Sequence, residues 1–397
     1  FFFPTNMTNN KPMSPSRINS VPSFFDDWKN GDYILFGSEL SYFTRKLHTA
    51  LLWSNGIKFK WYQRSEEVDQ HITQRSGSHQ IPILLTPENW MLADTTPILQ
   101  LLDSRIKTNT GPLFFPPGIT GALVYLMEEF FDEWIPSLAV YYRWCFPECA
   151  AHARPIIAKS RASADATYED IEAIGEGIET WGKKAVRALG MEDKDNQKRM
   201  EEEFLEIFTA LNKHLEHLYE VSSKDQQQKV FVLGDGAPCA LDAVLLGGIY
   251  AHFYQDPIPR SIIQSRFPFI SKWLTENFYA GKSGNFPQWP KHQKVDLLNL
   301  PPFFQLILQK ISTSYLPWLN GNYQALKAGK KSFVIQIDYP LKKEISYLAR
   351  RYPEKSRRMF LRWVEAHLKP QDKVRLINLL RQYEIIELSQ AVPRSKL

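Results

Sequence analysis

Cysteine is scarce in this chain, and its scarcity excludes one class of fold. The 397 residues contain three cysteines, too few for the disulfide framework of small secreted proteins. We therefore expect a reducing compartment and predict a cytoplasmic protein. The chain begins with phenylalanine rather than methionine, so an organelle-targeting segment stays open as an alternative.

Long apolar runs are also missing from the sequence. No segment approaches the roughly 20 consecutive apolar residues that cross a bilayer. Hydrophobic residues make up 44% of the chain and charged residues 23%, which is the composition of an ordinary globular protein. We therefore expect no membrane partner.

Signatures of several function classes are absent as well. The sequence has no zinc-finger spacing, no glycine-rich phosphate loop and no serine-hydrolase motif. Cys145, Cys149 and His152 have a helical spacing that suits metal ligands, but Pro147 interrupts the helix between them and a fourth ligand is not evident. The net charge of +5 is small, whereas nucleic-acid-binding proteins concentrate far more basic charge. We predict no metal, and nucleic acid is a disfavoured partner.

The first quarter of the chain alternates between strand and helix patterns. A small sheet covered by helices, with thioredoxin-like topology, is the prediction from this order. The expected elements are a strand at 33–36, a helix at 43–52, a strand at 57–63, a weak helix at 65–75, strands at 81–85 and 90–93, and a helix after residue 97.

Residues 79–103 contain the most informative local signals. Pro82 interrupts an apolar run and lacks the N–H that a strand needs, so it belongs at the start of a strand. Asp94 and Thr95 stand before Pro97, a pattern of helix-capping residues followed by proline in the first turn. A helix start offers free N–H groups and a positive dipole end, where a carboxylate is readily held.

The blocks 33–51 and 79–103 together resemble the thioredoxin-like domain of the cytosolic glutathione S-transferase superfamily. The resemblance extends over about residues 31–280. It implies a mixed α/β and all-α fold, in which the thioredoxin-like domain is followed by a large helical transferase C-terminal domain. It also implies a homodimer.

Ser41 is the catalytic residue that the resemblance implies. Aligned through Arg45-Lys46, Ser41 takes the position of the catalytic serine of theta- and zeta-like classes. The strand position that carries a catalytic tyrosine in other classes is Ile34 or a neighbour, which disfavours the tyrosine mechanism. Tyr42 and Thr44 are the reserve hydroxyl donors. A plain helix-capping role for Ser41 is the alternative.

The glutathione-binding residues follow from the same resemblance. Ile81 and Pro82 fall where the family has its cis-proline, so the backbone of Ile81 is expected to pair with the cysteinyl part of glutathione. Gln80 is expected to reach the carboxylate side of the tripeptide. Asp94 and Thr95 are expected to hold the γ-glutamyl amine and carboxylate, and helix capping is the alternative for both.

The chain is expected to divide at a Pro- and Gly-rich stretch. A later helix resembles the buried helix of the transferase C-terminal domain, with Asp242 in place and Cys239 at a position usually held by serine or threonine. The predicted division is a flexible arm at 1–30, the glutathione-binding domain at 31–107, a linker at 108–118 and an all-helical domain at 119–397 with extra helices after 298.

Three functions are compatible with these signals. The first is a glutathione transferase with a role in detoxification, which uses glutathione as co-substrate and no metal against a small hydrophobic, electrophilic or peroxide substrate. The second is a non-catalytic transferase fold used for binding or assembly. The third is an anion- or nucleic-acid-binding protein that uses the basic residues between 327 and 362.

Overall fold

The computed structural model of the protein describes residues 25–106, 112–222, 229–234, 237–277, 296–297, 299–338 and 342–389. Strands and helices alternate in the first part, and helices dominate the rest. The predicted combination of a thioredoxin-like domain and a large helical region is confirmed. Of the predicted flexible arm, residues 1–24 lie outside the described residues, whereas Phe25–Lys29 is helical.

After a short first helix that was not predicted, the N-terminal domain has the element order that the sequence predicts. Its elements are α1 (Phe25–Lys29), β1 (Tyr33–Gly37), α2 (Tyr42–Trp53), β2 (Phe59–Gln63), α3 (Glu66–Ser76), β3 (Ile83–Leu85), β4 (Met91–Ala93) and α4 (Thr95–Arg105).

A four-stranded sheet positions the start of α2 beside the start of β3. The strand order is β2-β1-β3-β4, with β1 parallel to β2 and antiparallel to β3. Phe36 pairs with Ile83, so the end of β1 lies next to Pro82. The chain leaves β1 at Gly37 and reaches Ser41 after a short loop. Two loops far apart in sequence therefore meet at one edge of the sheet.

The segment after α4 is packed against both parts of the protein. Residues 107–111 of the predicted linker lie outside the described residues. The carboxylate of Asp103 accepts backbone N–H bonds from Leu113 at 2.7 Å, Phe114 at 2.7 Å and Phe115 at 3.0 Å. The N–H of Ala240 donates to the carbonyl of Phe114 at 2.9 Å. The described end of the linker is therefore a fixed connection.

The remaining chain is mainly helical. Two π-helical segments, Ile249–Tyr254 and Ile311–Tyr315, and a 3-10 turn at Ile386–Ser389 accompany the regular elements. These elements are α5 (Ile119–Glu133), α6 (Pro136–Cys145), α7 (Pro147–Arg161), α8 (Tyr168–Ala188), α9 (Lys194–Ser222), α10 (Ala240–Gly248), α11 (Pro257–Arg266), α12 (Pro268–Asn277), α13 (Pro302–Lys310), α14 (Leu316–Lys327), β5 (Ser332–Asp338), β6 (Lys342–Leu348), α15 (Arg351–His367) and α16 (Pro370–Gln382).

The β5–β6 hairpin departs from the prediction of helices alone after residue 298. Phe333, Ile345 and Tyr347 of the hairpin are buried, whereas Val334 and Leu348 are exposed. This alternation is the period of two that marks a half-buried strand. Lysines flank and interrupt this alternation, so the strand pattern is weak in the sequence.

Helix α10 fixes α2 against the helical region. Asp242 accepts the backbone N–H of Cys239 at 2.9 Å and that of Val232 at 2.8 Å, so it caps the helix as its sequence position predicts. A Cβ atom on Gly247 would lie 2.3 Å from the backbone nitrogen of Lys46. Only glycine permits this approach of the two helices.

Candidate active site

A cavity of about 750 Å³ lies where the two loops of the sheet edge meet the helical region. This volume falls within the range of roughly 300–1,000 Å³ that ligand pockets occupy. Seven of the eight predicted site residues line it, and Thr44 does not. The seven are Ser41, Tyr42, Gln80, Ile81, Pro82, Asp94 and Thr95.

Ser41 is the N-cap of α2. Its backbone is extended, with φ −92° and ψ 122°, and its Oγ accepts the backbone N–H of Thr44 at 3.2 Å. A hydroxyl that accepts one hydrogen bond still has its own O–H to donate. The capping alternative is therefore compatible with a second role, because the donor proton of Ser41 remains for a ligand in the cavity.

The two reserve hydroxyls are directed away from a ligand. The Tyr42 hydroxyl donates to the carbonyl of Phe131 at 3.0 Å, and burial, followed by the charges of Asp132 and Glu128, raises the pKa of Tyr42. Thr44 is fully buried, and its Oγ1 accepts the N–H of Ser38 at 3.4 Å. Of the three predicted donors, Ser41 is the one whose hydroxyl geometry suits the cavity.

The Ile81–Pro82 peptide bond is cis, and Arg64 holds the segment before it. The Arg64 guanidinium donates to the carbonyl of Gln80, and to the carbonyl of Ser78 at 2.8 Å. It also donates to Asp69 Oδ1 at 2.7 Å. With its backbone fixed in this way, the loop presents Ile81 and Gln80 at the cavity wall.

Asp94 does not use its side chain to cap α4. Its backbone has a positive φ of 81°, a conformation that is uncommon outside glycine. Its Oδ2 instead accepts a hydrogen bond from Lys355 Nζ at 2.6 Å. The carboxylate expected to hold the amine of a ligand is thus paired with an ammonium group of α15.

A buried charge cluster joins α2, α4 and α5 at the end of the cavity that Asp94 lines. Lys46, fully buried, donates to Glu128 and, at 2.5 Å, to Asp132 Oδ2. Thr96 donates to Glu128 at 2.8 Å. Burial, opposed by the nearby Lys46 charge, raises the pKa of Asp132 to about 7. The position of Lys46 on the apolar face of α2 is a signal in the sequence for this cluster, because a lysine is almost never fully buried unless it is paired.

Arg143 connects the helical region to the loop that carries Ser41. Its Nη1 donates to the carbonyl of Leu40 at 2.6 Å, and its Nη2 to the carbonyl of Ala251 at 2.7 Å. Its Nε lies 3.0 Å from Asp256 Oδ2. No local sequence pattern around Arg143 indicates this contact.

The wall opposite the sheet edge is mainly apolar. It carries Arg161 and Lys184 among its apolar side chains. Trp144 of α6 belongs to this wall. The apolar members are Pro136, Ala139, Val140, Trp144, Ile157, Ile178, Trp181, Ala185, Ala188 and Leu189.

The cysteines near the cavity are not suited to ligand chemistry. Burial raises the pKa of Cys145 and of Cys149 to about 11, so both are neutral thiols near pH 7. Across the described ranges, no three His, Cys, Asp or Glu side chains come together in a way that could hold a metal ion. Among the same residues, no helix combines the length and the apolar character needed to cross a membrane.

Comparison with known proteins gives a match for the N-terminal domain. No curated protein matches the chain. Similar solved structures include the nitrogen regulation fragment of the yeast prion protein Ure2p, at 14% identity and TM-score 0.36 over 64% of this chain and 97% of that chain. A tau class glutathione S-transferase from mango is 16% identical, with TM-score 0.34 over 62% of this chain and 88% of that one. Residues 35–110 of this chain match the family model of the glutathione S-transferase N-terminal domain.

Proposed function

We propose that the protein binds glutathione in the cavity and activates its thiol through Ser41, as a serine-type glutathione transferase of the theta- and zeta-like kind. One observation carries the proposal. The donor hydroxyl of Ser41 and the cis Ile81–Pro82 segment line the same cavity, in a domain that matches the transferase N-terminal family.

The tripeptide lies along the sheet edge in this proposal. The backbone of Ile81 pairs with the cysteinyl residue as an added strand does. Gln80 lies toward the glycyl end, and Asp94 and Thr95 lie toward the γ-glutamyl end. The thiol then comes next to Ser41, at the N-terminus of α2, where the helix dipole favours an anion.

The Ser41 hydroxyl and the N-terminus of α2 together can stabilise the thiolate. A free thiol has a pKa of about 8.5. Lowering this pKa by about two units requires that the site favour the thiolate over the thiol by about 2.7 kcal/mol. A hydrogen bond from Ser41 to the anion supplies roughly 1.5–3 kcal/mol, and the helix N-terminus adds about 0.3–1 kcal/mol. The thiol proton is released to water, so a general base is not required.

The apolar wall supports a hydrophobic second substrate. The thiolate attacks an electrophilic carbon held against Trp144 and Trp181, a C–S bond forms, and the leaving group departs with its electron pair. A peroxide is the alternative acceptor. Both ligands would share the cavity of about 750 Å³. The homodimer and the cytoplasmic location belong to the same proposal.

Ser41→Ala tests the mechanism against a matched control. The substitution removes the thiolate donor together with an N-cap hydrogen bond of 3.2 Å. Thr167→Ala removes a cap hydrogen bond of the same length, from Asp170 N on α8, and Thr167 is not part of the cavity wall. Each loss of a cap costs about 1 kcal/mol of stability, so the two variants should be destabilised similarly.

The two variants should differ in conjugation. With an aryl halide acceptor, we expect Ser41→Ala to lower kcat/KM roughly tenfold or more and to raise the apparent pKa of bound glutathione in the pH profile. Thr167→Ala should keep both values. Equal kcat/KM for Ser41→Ala and the unchanged protein would reject Ser41 as the donor. A loss in Tyr42→Phe instead would assign the donor to Tyr42.

A glutathione-binding protein without catalysis is the second candidate. The ion pair between Lys355 and Asp94 is compatible with it, because a cation inside the expected site competes with glutathione for Asp94 and disfavours efficient turnover. Heat released on titration with glutathione, without conjugation of any acceptor, would support this function.

The basic residues between 327 and 362 give little support to nucleic-acid binding, because several of them are paired with acidic side chains. Lys343 pairs with Asp193 at 2.6 Å and with Asp195 at 2.7 Å, and Arg357 pairs with Glu354 at 2.8 Å. Charges neutralised in this way contribute little to phosphate binding.

A further inference from the structure

The C-terminal extension beyond residue 298 forms a wall of the cavity. The end of β6 and the first turns of α15 contribute residues 348–352 and Ser356 to the lining. These residues lie far outside the matched segment 35–110. The extension is therefore in a position to affect what the cavity binds.

Two side chains of α15 connect the extension to the polar end of the cavity. Lys355 Nζ donates to Asp94 Oδ2 at 2.6 Å, and Ser356 Oγ donates to Glu133 Oε1 at 3.0 Å. We call Lys355 and Ser356 the latch. Asp94 and Glu133 are both lining residues, so the latch holds the extension over the end expected to receive the γ-glutamyl group.

The start of α15 is anchored apart from the latch. The side chain of Asn322 on α14 donates to the carbonyl of Arg350 at 2.9 Å and accepts its N–H at 2.7 Å. The Arg350 guanidinium lies 5.0 Å from the centre of the Trp318 ring. These contacts keep the helix in place when the latch opens. Lys355 has a side-chain exposure of 49%, so it can turn toward solvent by rotation alone.

A ligand ammonium group and Lys355 compete for the same carboxylate. Asp132 is already bonded to the buried Lys46, and Glu133 accepts from Ser356. Asp94 is bonded to Lys355. Two ammonium groups at hydrogen-bond distance from one carboxylate repel each other. A cation that enters this end therefore competes with Lys355 for Asp94.

We propose that the latch is an autoinhibitory contact, in which Lys355 is an internal competitor for the ammonium end of glutathione. The proposal rests on the proposed function, because it takes the γ-glutamyl end of glutathione as the ligand of Asp94. Binding of glutathione exchanges the Lys355–Asp94 ion pair for a ligand–Asp94 ion pair, and the freed Lys355 enters solvent.

Lys355→Met tests the competition, because it removes the charge and keeps most of the length of the side chain. An exposed ion pair is worth little, so we expect the Kd for glutathione to fall by up to about fivefold. Glutaryl-cysteinyl-glycine, a glutathione analogue without the amino group, should bind both proteins equally. Lys373→Met is the matched control: it breaks a 2.8 Å ion pair with Glu365 in the same extension and should leave both Kd values unchanged.

Isothermal titration separates the outcomes. A Kd for glutathione that is unchanged or higher in Lys355→Met overturns the latch, and so does equal tightening for the analogue. If glutathione binds Lys355→Met but not the unchanged protein, the latch is supported, and Lys355 then blocks binding completely. Absence of glutathione binding by both proteins overturns the proposed function together with the latch. Melting temperatures and the second variant Lys355→Gln exclude an effect on folding.

Discussion

Arg161 provides a sharp prediction about the glycyl end of the cavity. It is the last residue of α7 and a lining residue. The helix end is fixed to the N-terminal domain, because Ser160 Oγ lies 3.2 Å from Ser38 Oγ and the N–H of Ala164 donates to Glu67 at 2.9 Å. We expect Arg161→Met to weaken glutathione binding.

The reason is a shortage of positive charge in the N-terminal domain at this end. Gln80 has a neutral amide, and the Arg64 guanidinium is engaged with Asp69 and with backbone carbonyls. Burial lowers the pKa of Arg64, and the charge of Arg161 acts in the same direction. The charge of Arg161 also acts on the carboxyl group of Glu66, so a glycyl carboxylate bound here would add a second anion beside the two guanidinium groups.

The size of the effect follows from the exposure of Arg161. A hydrogen bond between charged groups is worth roughly 1.5–3 kcal/mol, but Arg161 is half-buried and solvent screens part of its charge. The lower end of the range applies, so Kd should rise about tenfold. Lys159→Met is the control, since Lys159 is exposed in the same last turn and shares the favourable helix dipole without lining the cavity.

Titration with two ligands decides the matter. Glutathione should bind Arg161→Met about tenfold more weakly than the unchanged protein and should bind Lys159→Met normally. The glycyl ethyl ester of glutathione, which lacks the carboxylate, should bind all three proteins alike. If Arg161→Met weakens the ester as much as glutathione, the residue supports the cavity wall and does not contact the carboxylate.

Two further predictions concern stability. Burial raises the pKa of Asp103 from 3.8 to about 6, so its proton is held more tightly in the folded chain, and its contribution to the free energy of unfolding should fall as pH rises from about 4 to about 6. Asp103→Asn should remove that fall in urea titrations, and an unchanged pH profile would contradict it. Gly247→Ala puts a methyl group 2.3 Å from the Lys46 backbone and should lower the free energy of unfolding by at least about 1–3 kcal/mol. Thermal melting checks this, and an unshifted melting temperature would contradict it.

The sequence predicted the parts of the site that depend on local signals. The order of elements along the chain, the place of Pro82 before β3 and the N-cap position of Ser41 come from short patterns that are complete within a few residues. Contacts that depend on tertiary packing were not predictable. Lys46 and Asp132 are 86 residues apart, and nothing in either neighbourhood identifies the other.

The loop that carries Ser41 shows how these two kinds of information combine. The residues with proposed chemistry lie within the matched segment 35–110, but the groups that hold them come from elsewhere. Arg143 fixes the carbonyl of Leu40, and the carbonyl of Phe131 accepts the hydroxyl of Tyr42. Because both contacts flank Ser41, the helical region holds the backbone segment that carries its hydroxyl. A donor hydrogen bond depends on direction as well as distance, so the proposed thiol activation is a property of the whole described fold.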